Sequence, residues 1–236
     1  MTGPSSAPVV FLLDVDNTLL DNDRVIADLR AHLEREFGAT SAARYWAAFD
    51  ALREQLGYVD YLGALQRYRA EVADDDDAAH RLLSVSSFLI DYPFADRLYP
   101  QALDVLRHLR RLGPTVIVSD GDVVFQPRKV RRSGLWDAVD GRVMIFVHKE
   151  RQLDALLRAH PAERYVMVDD KLRLLTAMKR QLGPRLFTVF ARQGHYALDT
   201  AEVARYAPAD LSIDRIAALL DVDFASRLGS NQETPS

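Results

Sequence analysis

The feature that most restricts the fold is a short apolar run, Val9-Val10-Phe11-Leu12-Leu13, that stops abruptly at two carboxylates one residue apart. Its β-branched and bulky residues suit a strand buried on both faces. Asp14 and Asp16 follow, and then Asn17-Thr18-Leu19-Leu20. In an open parallel sheet, ligands bind beyond the carboxyl ends of the strands, so these acids stand where chemistry is usually done. Two carboxylates at ~4 Å repel by about 4 kcal/mol at an effective dielectric near 20, so the pair calls for a cation or a shared proton. Taken alone, the same residues also suit an exposed turn that caps the next helix.

The rest of the chain supplies the sheet that such a strand needs. After Leu20 the periodicity becomes helical: Val25, Leu29, Leu33 and Phe37 recur every four residues, behind the capping candidates Asp21, Asn22 and Asp23. Tyr45, Phe49, Leu52 and Leu56 mark a second helix ending near Gly57, and a third is predicted over Val59–Val72. The acidic run Asp74–Asp77 reads as a solvated turn and helix cap, with a further helix from Ala78 toward Leu89. From Pro100 onward helices alternate with apolar strands near Thr115–Val118, Arg142–Val147, Tyr165–Val168, Leu186–Phe190 and Leu211–Ile213, with a helix to about Leu220. That rhythm predicts an α/β fold, a doubly wound parallel sheet, with a helical insertion after its first strand. The expected division is an α/β core over residues 1–20 and 99–225, a helical cap over 21–98, and a frayed polar tail over 226–236.

Composition narrows the function classes. A net charge of −4 gives no reason to expect nucleic acid or an anionic membrane as partner. There is no cysteine, which excludes a disulfide scaffold, a thiolate metal site and a cysteine nucleophile, and permits a reducing cytoplasm. Met1 to Pro8 has no basic flank ahead of an apolar region, and Asp14 interrupts the run that follows, so neither a signal peptide nor a membrane span is expected. A cytoplasmic monomer or homodimer is the resulting expectation.

Polar residues stand at the downstream ends of several predicted strands: Asp14 and Asp16, then Ser119-Asp120-Gly121, then His148-Lys149, then Asp169-Asp170. In a parallel sheet those ends share one edge, so the groups converge on one crevice. Carboxylates, a hydroxyl, a glycine-containing turn and an ammonium are the set that phosphoryl transfer through a carboxylate nucleophile requires. In their order, strand contexts and approximate spacing these four clusters resemble the four motifs of the haloacid dehalogenase-like superfamily, and the resemblance spans Val9 to about Leu220. The helical insertion resembles the cap of its phosphoglycolate phosphatase and haloacid dehalogenase subgroup.

The resemblance implies roles. Asp14 would be the nucleophile and Asp16 the general acid and base. Asp14, the backbone carbonyl of Asp16 and Asp170 would hold one Mg²⁺, with Asp169 in support. Ser119 and the amides of Asp120 and Gly121 would cradle the phosphoryl group of a small phosphorylated metabolite, and Lys149 would balance the charge. Arg128, with Lys129 beside it after the second motif, and His195 are further candidates for substrate contact; His195 stands with Arg192, Gln193 and Tyr196 in a loop after Phe190 that should open at the active edge. The aromatics of the insertion are expected mainly to pack its own core. Two positions depart from the family pattern: Leu174 stands where many members carry a second acid, and Asp120 where Asn is frequent. The alternatives are a metal-independent 2-haloacid dehalogenase, against which Asp16 and Asp169-Asp170 argue, and a non-catalytic phosphate-binding or regulatory protein.

Overall fold

A computed structural model describes residues 7–72 and 78–229. Its centre is a parallel six-stranded sheet in the order β3-β2-β1-β4-β5-β6. The strands are β1 (Ala7–Leu13), β2 (Thr115–Asp120), β3 (Val143–Phe146), β4 (Ala162–Asp169), β5 (Leu186–Ala191) and β6 (Leu211–Ile213). β1 is flanked by β2 and β4, with Leu13 in register with both Ile117 and Val168. The chain builds outward from β1 in one direction and then returns to build in the other, so the crevice between β1 and β4 is the topological switch point.

Alternation along the strands explains the burial on both faces. Phe11, Leu13, Ile117, Val166 and Val168 belong to one apolar cluster, whereas Val10, Leu12, Val116, Val118 and Met167 belong to the other. Each face is covered by helices that the crossovers supply. The core helices are α5 (Ala102–Leu109), α6 (Phe125–Arg132), the single turn α7 (Leu135–Ala138), α8 (Leu153–Ala159) and α9 (Leu172–Leu182), each lying between two strands of the sheet.

Between β1 and β2 lies the inserted helical cap, with α1 (Asn22–Phe37), α2 (Ala39–Leu56), α3 (Tyr61–Glu71) and α4 (Ala78–Asp91). Asp21 caps α1 by accepting from the Arg24 amide, and Asp60 caps α3 by accepting from the Gly63 amide. Gly57 closes α2 in the left-handed conformation. Tyr45 and Tyr68 are buried within the cap, and the Tyr45 hydroxyl donates to the Tyr61 carbonyl. The connections into and out of the cap run side by side: Leu20 bridges Leu98, the Asp21 amide donates to the Arg97 carbonyl, and the Tyr99 amide donates to the Leu19 carbonyl.

Several expectations need correction. The segment after β5, read as an open loop, contains two short helices, α10 (Gly194–Leu198) and α11 (Thr200–Val203), the second capped by Asp199. The expected helix reaching Leu220 is a 3₁₀ segment, Ile216–Asp221. Residues 226–229 are helical rather than frayed. They belong to α12 (Phe224–Gly229), which Phe224 anchors by an edge contact with Phe11, its ring centroid 5.1 Å away. Residues 230–236 and the run Asp74–Asp77 lie outside the described residues.

Gly113, in the turn into β2, is where the backbone packs most tightly against β1. A Cβ there would stand 2.5 Å from the Val9 carbonyl oxygen. That neighbour is backbone and cannot step aside as a flexible side chain would. Gly113→Ala is expected to lower stability by about 1–3 kcal/mol, read as a reduced urea midpoint at unchanged slope.

Candidate active site

The four polar clusters meet at one edge of the sheet. Asp14 follows the last residue of β1, and its amide still donates to the Val168 carbonyl of β4, which fixes it at the switch point. Lys149, in a turn after β3, donates from Nζ to Asp14 Oδ1 at 2.5 Å and to the Val118 carbonyl at 3.3 Å. The same ammonium lies 2.7 Å from Asp169 Oδ2. Lys149 is 1% exposed and Asp14 2% exposed, so this ion-paired group is sealed from solvent. Burial alone would lower the Lys149 ammonium, but the carboxylates of Asp14, Asp169 and Asp120 overcome it and hold the group well above the ordinary lysine range.

Asp169 and Asp170 divide the remaining work. Asp169 accepts from the Lys171 amide at 2.8 Å through Oδ1 and pairs with Lys149 through Oδ2. Asp170 is buried with neither carboxylate oxygen hydrogen-bonded, and Asp14 Oδ2 is likewise without a partner. Burial pushes both the Asp169 and Asp170 carboxyls up, the nearest lysines only partly offsetting it. One oxygen from each of Asp14, Asp169 and Asp170 lies within 4.8 Å of the others. Unpartnered buried carboxylate oxygens in that arrangement are the donor set of a hard divalent cation such as Mg²⁺, so the residues present fit the ion. Lys171, new in prominence here, stands with its ammonium 5.0 Å from the Tyr196 ring centroid and is held above the usual range by Asp170 and Asp14, against the lowering effect of burial.

Asp16 belongs to a second polar group. It is 25% exposed, and its Oδ1 accepts from Lys129 Nζ at 2.7 Å. Gln126 Nε2 contacts Asp16 Oδ2 at 3.3 Å and donates to Ser119 Oγ at 3.0 Å, which leaves the Ser119 hydroxyl proton for another acceptor. Asn17 has a left-handed backbone, and its side chain accepts from the amides of Asn22 and Asp23 at the start of α1. Gly194 makes room for it: a Cβ at Gly194 would overlap Asn17 Cβ and Cγ.

The structure resolves the Asp120 departure. Its carboxylate accepts from the Lys149 amide at 2.7 Å, so the acid shapes the turn that presents the lysine. Gly121 does not have a free amide, because its N–H donates to the Phe146 carbonyl as the ladder with β3 continues. Its lack of a side chain instead admits Gln126, which a Cβ would crowd at 2.9 Å. Arg128 is not a site residue. It points along α6 toward the end of α4, where Nε donates to the Ile90 carbonyl and a terminal nitrogen pairs with Asp91 at 3.1 Å, a cation on a helix C-terminus. His195 does reach the cleft, with Nδ1 2.6 Å from Asp23 of α1.

Between cap and core lies a cavity of about 580 Å³ whose wall includes Asp16, Lys129, Lys171, Tyr61, Trp46 and His195. Asp14 and Lys149 are not on that wall. Tyr45 and Tyr68 pack inside the cap as expected, whereas Trp46, Tyr58 and Tyr61 line the cleft. Gln126 and Lys171 escaped the motif reading, and Lys129 entered it only as the neighbour of Arg128. Gln126 and Lys129 lie one helical turn apart on α6, and that spacing after Ser119 was the available signal.

Burial raises the Asp120 carboxyl to about 6, the charge and amide of Lys149 only partly opposing it. A carboxyl whose folded pKa exceeds the unfolded one opposes folding above the unfolded value, and fully so above the folded value. Asp120→Asn keeps an acceptor for the Lys149 amide. With chelator present, it is expected to stabilise the protein at pH 7 by about 1–3 kcal/mol, the gain disappearing as pH falls from 6 to 4; denaturant titrations at both pH values check this.

The comparisons with known proteins agree with this geometry. A solved haloacid dehalogenase-like hydrolase from Burkholderia xenovorans LB400 is 62% identical over 92% of this chain and 97% of its own, with a TM-score of 0.86. At fold level only, the Bacillus subtilis HAD-hydrolase YfnB, solved with magnesium, is 18% identical with a TM-score of 0.59, covering 92% of this chain and 98% of its own. An L-2-haloacid dehalogenase, PA0810, is 17% identical with a TM-score of 0.61, covering 92% and 99%. Among curated proteins none matches. The haloacid dehalogenase-like hydrolase family model matches residues 9–180, and with the 62% identical structure it makes this chain a member of that hydrolase family.

Proposed function

We propose that the protein is a Mg²⁺-dependent phosphomonoesterase acting on a small phosphorylated metabolite through a covalent phosphoryl-aspartate. The observation that carries the reading is the buried Asp170 carboxylate, unpartnered at both oxygens beside the unpartnered Asp14 Oδ2. Displacement of halide has no need of that cation site, nor of a second acid such as Asp16. Asp14, Asp170 and the backbone carbonyl of Asp16 would hold the ion, with Asp169 in support, and the ion would offset the repulsion between an anionic ester and an anionic nucleophile.

The chain's own residues then account for each proton and bond. Asp14 attacks phosphorus as the bond from phosphorus to the ester oxygen breaks. Asp16 delivers a proton to the departing oxygen, so an alcohol rather than an alkoxide leaves. Water next attacks the phosphoryl-aspartate, Asp16 takes its proton, and inorganic phosphate and the Asp14 carboxylate are released. Ser119 donates its hydroxyl to a phosphoryl oxygen, and Lys149 steadies Asp14 throughout. Because Asp14 lies behind the cavity wall, substrate entry requires the cap to swing away from the core.

Release of p-nitrophenol from its phosphate ester should need Mg²⁺ and stop on adding a chelator. Metal-independent release of chloride from 2-chloropropionate, without phosphatase activity, would overturn the assignment. Asp14→Asn should lower kcat by about 10⁴-fold or more while near-UV circular dichroism stays unchanged. Wild-type turnover by that variant would remove Asp14 as nucleophile.

A further inference from the structure

We infer that Lys129 is a positioning residue for Asp16, holding one of its oxygens so that the other is presented to the leaving group. The inference rests on the phosphomonoesterase reading, which gives Asp16 its proton to deliver. Lys129 is 1% exposed, yet it sits on α6, a helix whose arginines Arg128, Arg131 and Arg132 reach the cap or solvent. A buried ammonium needs compensation, and Asp16, at 2.7 Å, is the only carboxylate paired with it among the described residues. Its second acceptor is Asn22 Oδ1 at 2.9 Å, at the first residue of α1, and the Phe125 ring centroid lies 5.5 Å away. Tyr61 of α3 packs over α6, its ring centroid 5.2 Å from that of Phe125.

The two oxygens of Asp16 are therefore unequal. Oδ1 is gripped by a short charge-assisted bond, whereas Oδ2 has only the longer Gln126 contact at 3.3 Å. Oδ2 is the oxygen free to carry and release a proton. When it does, the negative charge that develops on the carboxylate forms beside a fixed ammonium, in a site where that charge is poorly screened. Asn22 carries the same chain of bonds into the cap, so the grip on Asp16 is complete when α1 sits over the core. In the transfer itself the O–H bond of Asp16 breaks, a new O–H bond forms on the departing oxygen, and Lys129 keeps all its protons.

A residue that merely stabilises the fold would slow every substrate alike; one that positions a general acid would not. The parameter kcat/KM reports only the steps through phosphoryl transfer to Asp14, so it isolates proton delivery from the later attack of water. An alkyl phosphate needs its leaving oxygen protonated, and 2,4-dinitrophenyl phosphate does not. With Mg²⁺ saturating, Lys129→Met is expected to lower kcat/KM by about 10²-fold for the alkyl ester and by less than about threefold for the dinitrophenyl ester. In an Asp16→Asn background the same change should cause little further loss. Lys129→Gln is measured in parallel so that a folding defect in one variant does not decide the result, and thermal melts of each chelator-treated variant read the pairing without turnover: Lys129→Met should raise the midpoint of Asp16→Asn, because it removes the stranded ammonium. Equal losses on the two esters, losses that multiply with Asp16→Asn, or a midpoint that falls further would overturn the role of Lys129 and leave the phosphomonoesterase reading intact. A wild-type protein that releases phosphate from neither ester would overturn both.

Discussion

The interaction on which the site depends is the buried contact of one ammonium with two carboxylates. Lys149 holds Asp14 at the end of β1 and Asp169 at the end of β4 from a turn after β3, and it also reaches the Val118 carbonyl of β2. One charge thus ties together the ends of four strands. Removing an unpaired carboxylate from water costs several kcal/mol, and an isolated buried ammonium costs as much. Each is tolerable only because the other is there. The arrangement still leaves Asp170 and one oxygen of Asp14 unsatisfied, so the fold positions the lysine and the lysine makes the burial of Asp14 possible, yet negative charge remains in excess. That excess is the observation on which the proposed cation site rests.

The cap contributes differently. Its apolar residues share one buried cluster with Phe125 and the sheet, and discrete polar pairs join it to the core across the cleft: Asp23 with His195, Arg53 with the Tyr196 hydroxyl, and Asn22 with Lys129. The tilted approach of Tyr61 to Phe125 adds an aromatic contact at 5.2 Å. Polar contacts of this kind exchange with water at small net cost, unlike a continuous apolar interface. The chain enters and leaves the cap through the bridged pair at Leu20 and Leu98, beside a network in which Asp28 pairs with Arg97 and Tyr92.

Much of this was legible in the sequence because it rests on period and on strand ends. Apolar runs that stop at acids, a hydroxyl or a lysine located the sheet edge, and the alternation of helices and strands implied a parallel sheet. What stayed illegible depends on side-chain direction. Nothing in the spacing distinguishes Arg128 from Lys129, yet one step along α6 turns the first toward the end of α4 and the second into the cleft. Asp120 looked like an excess charge beside a phosphate, and only its contact with the Lys149 amide shows it as part of the turn. The Gly121 amide was assigned to substrate, but a ladder continuing one residue beyond β2 had already used it. The helices after β5 are five and four residues long, which leaves too few apolar positions for a period to emerge.

The two acids that begin the site, Asp14 and Asp16, end in separate electrostatic surroundings although a single residue divides them. Val15 between them is fully buried, and the left-handed backbone at Asn17 turns the chain immediately afterwards. Asp14 faces the sheet edge, where the surrounding groups are Lys149, Asp169 and Asp170, and where access to solvent is lost. Asp16 faces α6 and the cleft, where Lys129 and Gln126 meet it and a quarter of its side chain remains accessible. The proposed roles match these surroundings: a nucleophile is needed as a carboxylate throughout, whereas an acid and base must exchange protons with substrate and water. Separating the pair by a buried apolar residue and a sharp turn gives each carboxylate its own cation. It also removes the mutual repulsion that adjacent acids on one strand face would suffer.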